Sequence, residues 1–191
     1  MRGLDDHDSA TAMTDAARRF AMEPLFGPGR NELVAHVPHC ARLGITCVET
    51  GPCFATVRLP WSEELVGDPI RGVVFGGVIT TLLDQASGLA VQCSLPEFKT
   101  IATLDLRIDY LRAAAPGVEL TARAECYKLT SNVAFVRGSA WDREQADPFA
   151  SMLATFMLVG PLHPDAWQRA ARQRVASAAT KDGATLAQGK K

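Results

Sequence analysis

GVVFGGVITTLLDQASG, residues 72–88, is the most informative stretch of this 191-residue chain. From Gly76 to Gln92 the apolar side chains recur at intervals of three and four, which predicts an α-helix. The run is too long for a buried strand, and its apolar side chains surround most of the predicted helix. A helix this apolar needs cover on nearly every side. An antiparallel sheet that curls round it is the simplest cover.

Beyond the helix, the hydrophobic period changes from about 3.6 to two. Residues 103–110, TLDLRIDY, alternate polar and apolar side chains, which predicts a strand with one buried and one polar face. The buried face is expected to hold Leu104, Leu106, Ile108 and Tyr110. Further strands are predicted after this one, at 119–127, 132–141 and 149–159. Two strands precede the central helix, at 45–49 and 54–59, and a polar loop over 62–72 joins them to it. A first helix over 31–43 and a last helix from Pro164 complete an α+β fold.

Composition excludes several classes of protein. The chain is 47% hydrophobic and 21% charged, which is ordinary for a folded protein and excludes a disordered chain, a collagen-like repeat or a coiled coil. A net charge of −1 provides no basic field for nucleic acid or an acidic membrane surface. Asp84 and Gln85 interrupt the most apolar stretch, which argues against a membrane span. Five cysteines without a C-x-x-C motif, and no secretory signal, predict reduced thiols in the cytoplasm.

Two glycines mark the start of the central helix. The N–H groups of Gly76 and Gly77 precede the first intrahelical hydrogen bond, and a helix N-terminus carries partial positive charge. These amides are therefore candidates to bind an oxyanion or a polarised carbonyl. The other interpretation is that the glycines only let the helix pack tightly against the sheet.

A polar stripe follows the same helix. Helical spacing aligns Gly77, Thr81, Asp84, Gln85, Gly88 and Gln92. This stripe is interpreted as the lining of a site, a subunit contact or a solvent-exposed face. Partial burial of Asp84 would raise its pKa and suit it to act as a base or a nucleophile.

Other chemical motifs are weaker. His36, His39 and Cys40 have spacings of three and four, but Pro38 lies among them and no further Cys/His pair has the spacing of a metal site. Neither a metal nor a redox cofactor is therefore expected. The sequence also lacks G-x-S-x-G, a Walker A loop and G-x-G-x-x-G, the usual signs of serine hydrolases, P-loop proteins and dinucleotide-binding proteins.

Three segments together resemble the PaaI-type thioesterase family of the hotdog fold. They are GVVFGGVITTLLDQASGLA (72–90), TLDLRIDYLRAA (103–114) and NVAFV (132–136), and the resemblance covers roughly residues 33–159. A thioesterase domain is therefore expected over 23–161, and the polar composition of the chain ends predicts a flexible segment over 1–22 and a helix with a flexible tail over 162–191. The resemblance also implies hydrolysis of an acyl-CoA by a homodimer or homotetramer, because family members join two sheets edge to edge and often pair again.

The resemblance implies roles for individual residues. The family motif H-G-G falls on Phe75-Gly76-Gly77, so the Gly76 N–H would polarise the thioester carbonyl. The family's catalytic carboxylate falls on Asp84, acting from the opposite subunit as nucleophile or general base, and Thr103 would hold the attacking water. Substrate-binding positions are Phe75, Gly77, Thr81, Gln85, Ser131 and Asn132, the last two near the coenzyme A phosphates.

Two departures from the family pattern bear on function. Phe75 replaces the motif histidine, and Asp68-Pro69 stands where an asparagine is frequent. A protein that binds acyl-CoA without cleaving it is therefore an alternative. An enoyl-CoA hydratase is disfavoured because no histidine lies near the central helix in sequence. A transcription regulator fits less well, since the N-terminal stretch holds no helix-turn-helix.

Overall fold

The computed structural model describes residues 30–35 and 37–161. It contains the helices α1 (Arg30–Ala35), α2 (Pro38–Leu43) and α3 (Gly76–Gln92). The strands are β1 (Thr46–Gly51), β2 (Phe54–Leu59), β3 (Val66–Asp68), β4 (Val73–Val74), β5 (Lys99–Tyr110), β6 (Leu120–Leu129), β7 (Val133–Trp141) and β8 (Ala150–Pro161). The predicted segment 1–22 and the helix predicted from Pro164 lie outside the described residues.

Six strands form one antiparallel sheet in the order β1-β2-β6-β7-β8-β5. α3 packs against one face of this sheet, and its Leu82, Leu83, Ala86 and Ala90 are fully buried. Many inward side chains of the sheet are alanines, which let the helix approach closely: Ala55, Ala122, Ala124, Ala134, Ala140, Ala150 and Ala154. The predicted α+β hotdog architecture and the bounds of the central helix are confirmed.

The first predicted helix is divided in two. α1 ends at Ala35 and α2 begins at Pro38, which occupies the first turn of its helix. Proline lacks an N–H and clashes with the carbonyl of the preceding turn, so a helix cannot run through this position without a break. The prediction of one continuous helix over 31–43 is wrong for this reason.

Residues 62–72, predicted as a loop, contain short regular elements. Glu63–Leu65 form a 3₁₀ turn, and β3 pairs with β4 in a separate two-stranded sheet. The backbone N–H of Phe75 donates to Leu65 O (2.8 Å). This segment therefore fixes the point at which α3 begins.

A β-bulge changes the alternation of β5. Thr103 pairs with Phe156 and Asp105 with Thr155, so β5 carries one extra residue, Leu104, between these pairs. A bulge turns neighbouring side chains to the opposite face. Thr103 consequently faces α3, although alternation predicted it on the polar face.

The prediction that Leu104 and Tyr110 are buried is wrong, since their side chains are 53% and 52% exposed. The bulge explains Leu104, and the Tyr110 hydroxyl reaches the rim of α3 instead of the core. Leu106 and Ile108 pack against the core as predicted.

β5 runs along α3 in the opposite direction and contacts it throughout its length. These contacts, in order along the helix, are Gly76 with Tyr110, Asp84 with Thr103, Gly88 with Ile101 and Gln92 with Lys99. β5 is also an edge of the sheet. One strand therefore supports the whole length of the polar stripe, and no other strand of the described residues pairs with its second edge.

Candidate active site

A cavity of about 410 Å³ lies between α2, α3 and β5. Its size is within the range of small-molecule sites. α2 supplies one wall, while the side chains of α3 and β5 bring a carboxylate and hydroxyl groups together. The lining residues are Val37, His39, Cys40, Thr80, Thr81, Asp84, Gln85, Thr103 and Leu106.

Asp84 and Thr103 form the polar centre of this cavity. Thr103 Oγ1 donates a hydrogen bond to Asp84 Oδ1 (3.0 Å), joining α3 to β5 across nineteen residues of sequence. Burial raises the pKa of the Asp84 carboxyl, and the Thr103 hydroxyl partly counters this by stabilising the charged form. A carboxylate with a raised pKa accepts a proton more readily than an exposed one does, which suits general-base chemistry.

The N-terminus of α3 is a second polar feature. Val78 N–H donates to Phe75 O (3.0 Å), so the amides of Gly76 and Gly77 precede the helical hydrogen bonds. The carbonyl oxygens of both glycines accept hydrogen bonds from side-chain hydroxyls. Tyr110 and Thr80 donate to Gly76 O, and Thr81 donates to Gly77 O. The bonds to Gly76 O fix the peptide that carries the Gly77 N–H, and the Val78 bond to Phe75 O fixes the peptide that carries the Gly76 N–H.

Phe75 stands at the N-cap position of α3 without a side-chain cap. Its ring lies over two glycines: a Cβ on Gly77 would be 2.5 Å from Phe75 Cε1, and one on Gly67 would be 3.1 Å from Phe75 Cδ2. The ring is nevertheless 60% exposed. Phe75 therefore forms an apolar surface beside the open amides.

The two polar features are separated along the helix. Gly76 and Asp84 are eight residues apart, which at 1.5 Å per residue is about 12 Å. One thioester carbonyl cannot contact the Gly76 N–H and the Asp84 carboxylate of the same helix at that separation. If both groups act on one carbonyl, they belong to different copies of the chain.

The structure divides the residues predicted for the site into three groups. Thr81, Asp84, Gln85 and Thr103 line the cavity. Phe75, Gly76 and Gly77 lie at the start of α3. Ser131 and Asn132 are exposed on the β6–β7 turn, which Thr130 closes through its hydroxyl, and they are not among the cavity-lining residues. Their contact with a ligand stays a prediction.

Sequence reasoning considered His39 and Cys40 only as metal ligands. In space, His39 Nε2 lies 3.4 Å from Thr81 Oγ1, and Cys40 Sγ donates to Gln85 Oε1 (3.2 Å). Burial, and then the Asp84 charge, raise the pKa of Cys40 to about 11, so it stays a thiol at neutral pH. No histidine lies near α3 in sequence, but chain folding brings His39 to Thr81 of this helix across 42 residues. The sequence predicted a helix over 31–43, but that prediction did not indicate that the helix packs against α3.

Within residues 30–35 and 37–161, no group of three His, Cys, Asp or Glu side chains is arranged to hold a metal ion. In the same part of the chain, no helix is long and apolar enough to cross a membrane.

Comparison with known proteins identifies the family of this chain. Residues 71–149 match the family model of the thioesterase superfamily. The medium/long-chain acyl-CoA thioesterase YigI of Escherichia coli K12 is 31% identical in an alignment of 138 positions that covers 65% of this chain and 88% of YigI. The chain belongs to the thioesterase superfamily. A second relative, named as a putative esterase of Halobacterium salinarum, is 36% identical in an alignment of 94 positions that covers 48% of this chain and 61% of that protein.

Solved structures extend the thioesterase likeness to three dimensions. A crystal structure of a Pseudomonas aeruginosa protein superposes with a TM-score of 0.62 at 40% identity, covering 68% of this chain and 96% of the other. The PaaI protein of the Escherichia coli phenylacetic acid degradation operon has the same fold. It superposes with a TM-score of 0.60 at 18% identity, and the match covers 77% of this chain and 96% of the other. The chain is therefore a thioesterase with the hotdog fold of PaaI.

Proposed function

We propose that the protein hydrolyses acyl-CoA thioesters to the free acid and coenzyme A. The observation that carries this proposal is the 3.0 Å contact between Thr103 Oγ1 and Asp84 Oδ1 in a cavity of ligand size. YigI, a relative at 31% identity, is a medium/long-chain acyl-CoA thioesterase, which supports coenzyme A as the leaving group and a medium or long acyl chain. Val37 and Leu106 give the cavity apolar walls for such a chain.

Asp84 supplies the reactive carboxylate. As a general base it takes a proton from water while the water oxygen attacks the thioester carbon. The tetrahedral oxyanion then collapses, the C–S bond breaks, and coenzyme A leaves as a thiolate that takes the proton from Asp84 or from solvent. As a nucleophile, Asp84 would instead attack the thioester carbon, the C–S bond would break with coenzyme A leaving as a thiolate, and water would hydrolyse the resulting mixed anhydride to the free acid and Asp84. Thr103 orients the carboxylate in either scheme and holds the attacking water in the first.

The Gly76 N–H stabilises the oxyanion, and it comes from a second copy of the chain. The separation of about 12 Å between Gly76 and Asp84 on one helix requires two copies if both groups act on one carbonyl. β5 offers a long sheet edge for such a partner. We therefore propose a homodimer or homotetramer in which each α3 N-terminus faces the Asp84 cavity of its neighbour. Ser131 and Asn132 then serve the coenzyme A phosphates outside this cavity.

The compartment is proposed to be the cytoplasm, because the five cysteines are thiols and reduced thiols persist there.

Asp84→Asn tests the proposal, with Asp105→Asn as the matched control. Asp105 is an exposed aspartate on β5, so its substitution makes the same chemical change away from the cavity. Thiol release from acyl-CoAs of increasing chain length should fall by at least about 10²-fold in Asp84→Asn, the scale of a general base, and stay unchanged in Asp105→Asn. Calorimetry should show that Asp84→Asn still binds the substrate.

Two results would contradict the proposal. Binding of acyl-CoA by the wild type without thiol release would favour the non-catalytic binding protein. A monomer in light scattering at micromolar concentration would exclude the two-copy site.

A further inference from the structure

Tyr110 on β5 contacts the first residue of α3. Its hydroxyl donates a hydrogen bond to Gly76 O (3.1 Å). A Cβ placed on Gly76 would lie 3.3 Å from the Tyr110 hydroxyl oxygen. Half of the Tyr110 side chain is exposed, so the ring contributes only part of its area to packing. The hydroxyl contact is therefore the specific link between this side chain and the helix.

The first turn of α3 needs such support. It begins with two successive glycines, which have the greatest backbone freedom, and Phe75 provides no side-chain cap. Thr80 Oγ1 also donates to Gly76 O (3.1 Å), but Thr80 belongs to the same helix and moves with it. Tyr110 belongs to the sheet, so it fixes the turn relative to the rest of the fold.

The bond from Tyr110 also sets the direction of an amide. Gly76 O and the Gly77 N–H belong to one planar peptide unit, so fixing the oxygen fixes the N–H. Hydrogen bonds on the oxygen also polarise that peptide, which strengthens its N–H as a donor. The preceding peptide, which carries the Gly76 N–H, is held through Phe75 O by Val78. Both open amides are thus oriented through the carbonyl of their own peptide.

We propose that Tyr110 is a positioning residue for the carbonyl-binding end of α3. Its hydroxyl holds the Gly76–Gly77 peptide so that the Gly77 N–H, beside the Gly76 N–H, meets the substrate carbonyl in the transition state. The inference rests on the proposed thioester hydrolysis. Tyr110 acts through the glycines and does not itself touch the reacting atoms.

Tyr110→Phe and Tyr127→Phe form a matched pair, because the chain has two tyrosines and both are about half exposed, at 52% and 50%. Each variant loses one hydroxyl, but Tyr127 packs beside Phe135 and Arg137, away from α3. With the best acyl-CoA substrate, Tyr110→Phe should lower kcat by about tenfold with KM unchanged, the effect of one lost hydrogen bond. Tyr127→Phe should leave both constants unchanged.

A spectroscopic measurement separates positioning from stability. In the Asp84→Asn background, a bound acyl-CoA labelled with ¹³C at the carbonyl reports polarisation through its C=O stretching frequency. Added Tyr110→Phe should move this frequency back toward its value in water, whereas added Tyr127→Phe should not.

Equal kcat values for the two tyrosine variants of an active enzyme would overturn the inference and leave the proposed function intact. So would a lower Tm for Tyr110→Phe with unchanged kcat. If the wild type released no thiol, the proposed function would fail, and the role of Tyr110 with it.

Discussion

Removing the Thr103 hydroxyl should change how activity depends on pH. Thr103→Val keeps the size and shape of the side chain and suits a strand, but it cannot donate to Asp84 Oδ1. Burial raises the pKa of Asp84 and the Thr103 hydroxyl lowers it, so the substitution leaves only the raising effect. The pKa of Asp84 therefore rises further. Because Asp84 acts ionised, the acidic limb of kcat/KM should move to higher pH.

The size of the effect follows from the kind of hydrogen bond. A bond to an ionised group contributes about 1.5–3 kcal/mol, and the lower end applies because Thr103 is exposed. About 1.5 kcal/mol corresponds to about a tenfold change in the ionised fraction of Asp84. On the acidic limb, where activity is proportional to that fraction, the wild type should exceed the variant by about tenfold. The ratio should shrink at alkaline pH, where Asp84 is ionised in both proteins.

The measurement is kcat/KM for one acyl-CoA from the acidic limb to the plateau, with Thr100→Val as the control. Thr100 is an exposed threonine on the same strand, and it pairs with Gly160 away from Asp84. An acidic limb that coincides with that of the wild type would show that the Thr103–Asp84 bond does not tune the carboxylate. A limb displaced to lower pH would reverse the assigned sign.

Two further predictions concern a flanking residue and the stability of the fold. Phe75→His should preserve or raise thioesterase activity. The smaller ring fits over Gly67 and Gly77, and it restores a hydrogen-bonding group beside the amides. A folded but inactive variant would show that Phe75 shapes the acyl site. Asp142 is buried, and hydrogen bonds from Arg112 hold the pKa of its carboxyl at about 2. In urea at pH 7, the free energy of unfolding of Asp142→Asn should be about 2 kcal/mol lower than that of the wild type. This difference should narrow as the pH falls below 3.8 toward 2, because protonation of Asp142 in the wild type removes the ion pair. A difference that persists under acid would point to packing instead of charge.

Hydrophobic periodicity was sufficient to predict the main elements of the fold. The predicted bounds match the observed ones for the central helix, Gly76–Gln92, and for the strand Phe54–Leu59. Both segments are buried on the faces that their apolar patterns indicate. The alternation in β5 was misleading at Leu104, since a bulge depends on the pairing partner and leaves no trace in local alternation. The break at Pro38 was visible in the sequence, and its effect on the helix was underestimated.

The candidate site was predictable only in part. Asp84 was conspicuous because a carboxylate is unfavourable in an apolar helix, and Gly76 because glycines stood at a helix start. His39 and Tyr110 gave no comparable signal. Each reaches α3 from a distant segment, and contacts across 42 and 34 residues depend on tertiary packing that no local pattern encodes.

The bulge at Leu104 lets both halves of β5 present side chains to α3. Thr103 pairs with buried Phe156 and Asp105 with Thr155, so removing Leu104 would leave Thr103 on the face of Asp84. If the strand kept Leu104 and paired it as a regular ladder residue, segment 99–103 would slip by one position and exchange its two faces. Every side chain would remain, but the Thr103 hydroxyl would point into solvent. In the evolution of such a sheet, a one-residue insertion in the edge strand therefore retains a partner for the carboxylate only where the strand bulges to absorb the extra residue.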